Sequence, residues 1–183
     1  MKAVLLCGGI GKRMFPITED KLLLNFLGKP LLKHQIERMK EVGLTDLIVV
    51  ANPQNVESIG RIVKEIAGVK TRLVVQEKAL GIANALETAE RYLKGEVMII
   101  NPNDVFETSA FTSLIRSSQR ARAAAYLVGY EVKDYFPGGY LVVNKKNELR
   151  EIVEKPPRGQ EPSNLVNILV HLHTDAEKLM QCV

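Results

Sequence analysis

The stretch Ala3-Val4-Leu5-Leu6-Cys7-Gly8-Gly9-Ile10-Gly11-Lys12-Arg13 decides how this chain is read. An apolar strand that runs straight into glycines leaves bare backbone N–H groups at its end, and Lys12-Arg13 sets fixed positive charge beside them. That combination suits a polyphosphate, so a nucleotide is the expected ligand. Two better-known glycine loops are excluded. A dinucleotide fingerprint needs Gly-x-Gly-x-x-Gly or Ala, whereas Gly9-Ile10-Gly11 continues into Met14, and the next strand ends at Val50-Ala51-Asn52 with no acid to hold a ribose. A Walker-type phosphate loop needs a glycine five residues before Gly11 and a Ser or Thr after Lys12, where the chain has Leu6 and Arg13.

Outward from this segment, strand-like runs at Ala3 to Leu6, Leu47 to Val50, Arg72 to Val75 and Val97 to Ile100 alternate with segments of helical period. A first helix follows Pro30, with Leu32, Ile36 and Met39 on one stripe. A second is predicted to begin at the cap-and-proline pair Asn52-Pro53, with Val56, Ile59, Val63 and Ile66 inward. A third carries Ile82, Leu86, Ala89 and Leu93 on its buried side. Such alternation predicts a parallel sheet with helices on both faces, which binds ligands where its strands end. After a further helix near Phe111 to Ser118 the pattern turns to strands at Ala123 to Val128, Tyr140 to Val143, Leu149 to Val153 and Leu165 to Leu172. Without a linker or repeat, residues 1–183 read as a single domain with a nucleotide-binding half, 1–120, and a β-rich half, 121–183.

Composition narrows the functional classes. The chain has 183 residues, 46% hydrophobic, enough for a real core. Its 25 Lys and Arg against 21 Asp and Glu are scattered, with no basic stripe interleaved with aromatics, so a nucleic-acid partner is not expected. Cys7 and Cys182 lie in neither metal nor redox spacing, which fits a reducing compartment. No apolar run approaches membrane-spanning length, and the short apolar start is unlike a secretory signal, so the expectation is a soluble cytoplasmic protein without a membrane partner.

Asp104 stands just past the apolar run Val97-Met98-Ile99-Ile100, in Asn101-Pro102-Asn103-Asp104. A carboxylate there can be a Mg²⁺ ligand, since that ion takes one or two carboxylates plus phosphate oxygens and water, or it can cap the helix that follows. In Gln76-Glu77-Lys78-Ala79-Leu80-Gly81, the Gln76 amide can pair with the O4 and N3–H edge of uracil or thymine, and Gly81 permits close backbone approach; alternatively these are a polar strand terminus and a helix-start glycine. Glu154-Lys155-Pro156 offers a carboxylate for sugar hydroxyls and a cation for phosphate, though it also reads as surface turn. His171 and His173 share one face of a strand, where a zinc pair competes with an ordinary half-buried strand.

Taken in order, Gly8-Gly9-Ile10-Gly11-Lys12-Arg13-Met14-Phe15-Pro16-Ile17-Thr18 and Lys21-Leu22-Leu23-Leu24-Asn25 resemble the signature of the sugar-phosphate nucleotidylyltransferases of the glucose-1-phosphate thymidylyltransferase and uridylyltransferase type. The resemblance implies a Rossmann-like α/β fold with a mostly parallel mixed sheet. It also implies nucleotidyl transfer from a nucleoside triphosphate, dTTP or UTP, to a sugar 1-phosphate, with Mg²⁺ as cofactor and a homo-oligomer as a common assembly. Under it Arg13 and Lys21 are catalytic, and Gly8, Gly9, Gly11, Lys12, Gln76 and Gly81 bind the nucleotide. Asp104 holds the metal, while Gly139, Glu154, Lys155 and Asn167 bind the sugar phosphate. Lys12 stands where the family has Thr, and Leu169 where it has Gly. The family's second metal-binding Asp belongs to a part beyond Val183, so a chain lacking its C-terminal part is expected. Rival readings are a non-catalytic nucleotide-sugar-binding regulator and a nucleotidylyltransferase with a different acceptor.

Overall fold

In the computed structural model, which describes residues 1–9 and 20–183, the apolar runs form strands and the amphipathic stretches form helices. The first part of the chain forms β1 (Lys2–Leu6), β2 (Asn25–Phe26), β3 (Lys29–Pro30), α1 (Leu31–Glu41), β4 (Asp46–Ala51), α2 (Val56–Lys64), β5 (Lys70–Val75), α3 (Ile82–Ala89), β6 (Val97–Ile100) and α4 (Thr108–Arg120). Then follow β7 (Ala125–Glu131), β8 (Gly139–Val143), β9 (Leu149–Glu154), β10 (Leu165–His173) and α5 (Ala176–Met180). The chain divides into two compact units, Met1–Tyr126 with Val170–Val183, and Leu127–Leu169.

In the first unit the strand order is β5-β4-β1-β6, all parallel, followed by the Val170–His173 end of β10, which pairs antiparallel to β6. Val4 lies opposite Ile48 on one side and Ile99 on the other, which aligns the strands' alternating side chains. Val4, Ile48, Val50, Val74, Val97 and Ile99 pack against Ala85, Leu86 and Ala89 of α3 and Ala176 of α5. The opposite face carries Ala3, Leu5, Leu47, Val49, Met98 and Ile100, all fully or nearly fully buried. α2 packs there through Gly60, where a Cβ would stand 3.3 Å from Leu73, and α1 packs on both α2 and α4. Buried runs without polar alternation are what a sheet covered on both faces requires.

Two details depart from the expected helices. α2 starts at Val56, not at Asn52-Pro53, because Asn52 closes a turn by accepting the backbone N–H groups of Gln54 and Asn55, each at 2.9 Å. Ile82, expected inward, is 47% exposed as the first residue of α3, whereas Leu86, Ala89 and Leu93 are buried as expected.

In the second unit β8 pairs antiparallel with β9, and Val166 of β10 lies opposite Tyr140 of β8; β7 also pairs with β10. Tyr140 is fully buried, and its hydroxyl accepts the backbone N–H of Phe136 at 2.8 Å. β9 is mostly exposed along its length. Among the described residues, no helix is long and apolar enough to cross a membrane. Both cysteines are free, Cys7 buried and Cys182 exposed.

Candidate functional site

The C-terminal ends of β1, β5 and β6 carry the sequence-predicted residues Gly8, Gly9, Gln76 and Asp104. Gly8 and Gly9 follow β1. A Cβ on Gly8 would lie 2.5 Å from Gln76 Oε1, so any side chain there would force that amide to shift, while no described atom lies within 4 Å of a Cβ on Gly9. Gln76, just after β5, is anchored by its backbone N–H to the Ala51 carbonyl at 2.8 Å. Its buried side-chain Nε2 donates to the Gly81 carbonyl and to Asn84 Oδ1, both at 3.0 Å. Gly81 itself has φ +98, a conformation in which a side chain would be strained, and it leads directly into α3. Gln76 is therefore hydrogen-bonded to Gly81 and lies against Gly8. Gly11, Lys12 and Arg13 lie outside the described residues.

Lys21 stands on a short 3₁₀ turn, Lys21–Leu23, capped by Asp20, whose Oδ1 accepts the Leu22 N–H at 2.9 Å. Asp104 lies in the turn after β6. Its backbone carbonyl accepts Gln35 Nε2 from α1 at 2.7 Å, and its Oδ2 accepts Asn101 Nδ2 at 3.4 Å. Partial burial pushes the Asp104 carboxyl above the usual carboxylate range, and the positive charge of Lys21 pulls it partly back. Lys21 and Asp104 are thus electrostatic neighbours. Helix capping does not account for Asp104: α4 begins after Glu107, and no side chain there caps it.

Sequence reading missed a buried polar brace beneath these residues. Asn55 donates its Nδ2 to the Cys7 carbonyl at 2.8 Å and to the Asp20 carboxylate at 2.5 Å, and Asn52 Nδ2 reaches the Gly8 carbonyl at 3.4 Å. The available signal is two asparagines three residues apart at the end of a parallel strand, of which Asn52 is expected from sequence as a helix cap and Asn55 carries no expectation.

In the second unit the four predicted sugar-phosphate residues come together. A Cβ on Gly139, the first residue of β8, would meet Glu154 Oε2 at 3.0 Å, Ile152 at 3.1 Å and Asn167 Cβ at 3.8 Å. Lys155 has φ +45, and its N–H donates to the Gly138 carbonyl at 3.0 Å. Its ammonium lies 3.4 Å from Glu154 Oε1, with both side chains exposed. The turn therefore holds Lys155 in a left-handed conformation uncommon for a side-chain-bearing residue.

His171 and His173 lie with ring centroids 6.2 Å apart, and burial depresses both imidazoles below their usual range. Among the described residues, no three His, Cys, Asp or Glu side chains form a metal cage. The Asp104 turn offers one carboxylate and nearby Asn101 and Asn103 amides, a hard donor set that fits a cation which keeps most of its ligands as water and phosphate.

Residues 2–173 match the family described as Nucleotidyl transferase. A Bifunctional protein GlmU of Methanococcus maripaludis is 32% identical over 169 residues, covering 91% of this chain and 38% of its own length. The UTP–glucose-1-phosphate uridylyltransferase AglF of Haloferax volcanii is 32% identical over 171 residues, 91% of this chain and 69% of its own. A glucose-1-phosphate thymidylyltransferase of Neisseria gonorrhoeae is 26% identical over 176 residues, covering 93% of this chain and 61% of its own. The chain thus spans between 38% and 69% of the length of these relatives. Among solved structures, apo UDP-glucose pyrophosphorylase superposes with a TM-score of 0.82 at 20% identity, covering 98% of this chain and 78% of that one. A UDP-glucose pyrophosphorylase complexed with UDP-glucose gives 0.77 at 21% identity, covering 98% and 77%. These likenesses identify the fold as that of the nucleotide-diphospho-sugar transferases.

Proposed function

The chain belongs to the nucleotidyl transferase family, and we propose that it transfers a nucleotidyl group from a nucleoside triphosphate, dTTP or UTP, to a sugar 1-phosphate. The observation that carries this reading is the gathering of Gly8, Gln76 and Asp104 at the ends of β1, β5 and β6, on one edge of a parallel sheet. In the reaction a phosphate oxygen of the sugar 1-phosphate attacks the α-phosphorus. The bond from that phosphorus to the bridging oxygen breaks, and pyrophosphate leaves with the electron pair. The attacking oxygen is already anionic and needs no general base.

The residues act by positioning and by charge. Gly8, Gly9 and Gly11 offer backbone amides to the triphosphate. Lys12 and Arg13 supply countercharge, with Arg13 stabilising the leaving pyrophosphate, and Lys21 meets the α-phosphate. Gln76 keeps Gly81 in its left-handed conformation, so that a pyrimidine ring can approach the backbone there, and exchanges one of its amide bonds for the edge of the base. Asp104 holds Mg²⁺, which supplies neutralisation of phosphate charge when bound. For the acceptor, Glu154 and Asn167 take sugar hydroxyls, Gly139 leaves room for the ring, and Lys155 holds the phosphate. The protein works in the cytoplasm, and no nucleic-acid or membrane partner enters this reading.

The test is pyrophosphate release from the chain incubated with Mg²⁺, glucose 1-phosphate and each of four triphosphates. Release with dTTP or UTP in preference to ATP and GTP, abolished by Arg13→Ala, is expected. Absence of release with every triphosphate overturns the reading, and preference for a purine overturns the role of Gln76 and Gly81.

A further inference from the structure

We infer that Asn55 is a positioning residue that fixes the spacing between the Gly8 amide and the Lys21 ammonium, and thereby the affinity for a nucleoside triphosphate. The inference rests on the nucleotidyl-transfer reading above and deepens it. Asn55 is only 3% exposed. Its Nδ2 spans two chain segments, donating to the Cys7 carbonyl at 2.8 Å and to Asp20 Oδ2 at 2.5 Å. Its Oδ1 accepts the backbone N–H of Asn52 at 2.9 Å, so the amide is fixed on a third segment, the end of β4. Asp20 passes the constraint on, because its other oxygen accepts the Leu22 N–H and shapes the turn on which Lys21 stands. On the other side, Cys7 adjoins Gly8, whose carbonyl Asn52 also holds.

One planar amide thus ties together the two segments that the reading assigns to one ligand. Two phosphate-binding groups on separate segments bind tightly only when their separation is set before the ligand arrives; otherwise binding must supply the ordering. A bond to a carboxylate is stronger than one between neutral groups, which makes Asp20 the more informative partner. No residue of this brace touches the reacting atoms, so its removal changes ligand affinity without removing a catalytic group.

The test is titration of dTTP and UTP onto the purified chain, with KM for glucose 1-phosphate and thermal melts measured alongside. Asn55→Asp removes both donors and sets a second carboxylate against Asp20; it is expected to weaken triphosphate binding about tenfold or more. KM for the sugar phosphate stays within about twofold, a split that general loosening of the fold would not give. The exchange Asp20→Asn with Asn55→Asp restores a donor–acceptor pair between the two positions and keeps the Leu22 contact. Its carboxylate at position 55 leaves the Cys7 carbonyl without a donor, so only part of the lost binding is expected to return, about threefold over Asn55→Asp alone. Should Asn55→Asp fail to fold, Asp20→Asn alone is expected to weaken binding about threefold or more, because its single amide oxygen cannot accept from both Leu22 and Asn55. Parent-like triphosphate binding in Asn55→Asp, or equal loss for both substrates with no recovery on exchange, overturns the inference. A parent chain that binds no triphosphate overturns the nucleotidyl-transfer reading itself, which separates the two failures.

Discussion

The two compact units hold their candidate residues in opposite ways. In the first, Gly8, Gln76 and Gly81 sit on strand ends fixed by buried amide bonds, and Gln76, Asn52 and Asn55 are among its few buried polar side chains. In the second, Glu154 and Lys155 stand exposed at the end of an open strand, with a weak ion pair between them. Under the proposed function, the difference tells where the specificity of each half would reside. A buried amide network admits one geometry, which suits a triphosphate and a flat base. An exposed carboxylate and ammonium on a turn adapt to hydroxyls of differing stereochemistry. This contrast can be broken or sharpened by substitution in each unit.

Among the described residues, the largest expected effect lies at Asp104. Asp104→Asn removes the carboxylate while keeping its size and its backbone bond to Gln35. Pyrophosphate release is expected to fall about 100-fold or more. Stability should hold or rise slightly, since burial makes the charged form of this group costly. A Tm lowered as steeply as activity would make Asp104 a structural residue and would erase the distinction drawn for the first unit.

Acid should act on the first unit before the second. His171 is held down to about 4 by burial and by repulsion from His173, which is itself depressed. A depressed folded value means the native state favours neutral imidazole. The associated stability is fully present above about pH 6.5 and is lost as pH falls through about 4, on the order of 3 kcal/mol for His171. Residues Leu127–Leu169 contain no histidine. Hydrogen exchange near pH 4.5 should therefore show β6 and the Val170–His173 end of β10 losing protection first, and His171→Leu should flatten that response. Equal loss in both units would remove the acid distinction.

Gly8→Ala probes the amide network at its tightest point. The added methyl would meet Gln76 Oε1 at 2.5 Å, and Gln76 cannot swing away without breaking its bonds to Gly81 and Asn84. A loss of about 1–3 kcal/mol in urea unfolding is expected, with weakened triphosphate binding. Full stability would mean that Gln76 moves freely and that the first unit is as adaptable as the second.

Much of this arrangement is legible in the residues alone, and what is not legible has a common cause. Val97 to Ile100 is a buried strand by its unbroken apolar run, and Leu32, Ile36 and Met39 mark α1 by their spacing, because both signals are local. Gly8, Gln76, Asp104, Glu154 and Lys155 were likewise visible as residue types at strand ends. Pairing is non-local: nothing in the run Leu165 to Leu172 announces that its end lies antiparallel to β6. Asn52 illustrates the same limit, since its side chain looks identical whether it caps a helix or closes a turn. Asp20 gained meaning only when Asn55, 35 residues away, was found beside it.

Lys155→Gly should produce the smallest effect and the most direct contrast between stability and binding. Lys155 occupies φ +45, which a residue with a Cβ enters at a cost and glycine enters freely. The exposed pair with Glu154 returns little of that cost. Replacement is expected to leave stability unchanged or raise it by up to about 1 kcal/mol, while KM for the sugar 1-phosphate rises about tenfold through loss of a cation at the phosphate. A site that retains strain its own fold would be more stable without is retained for its ligand. If Lys155→Gly instead lowers stability and leaves KM unchanged, the ammonium serves the turn and not a phosphate, and the acceptor residues must be sought elsewhere than the Glu154-Lys155 turn.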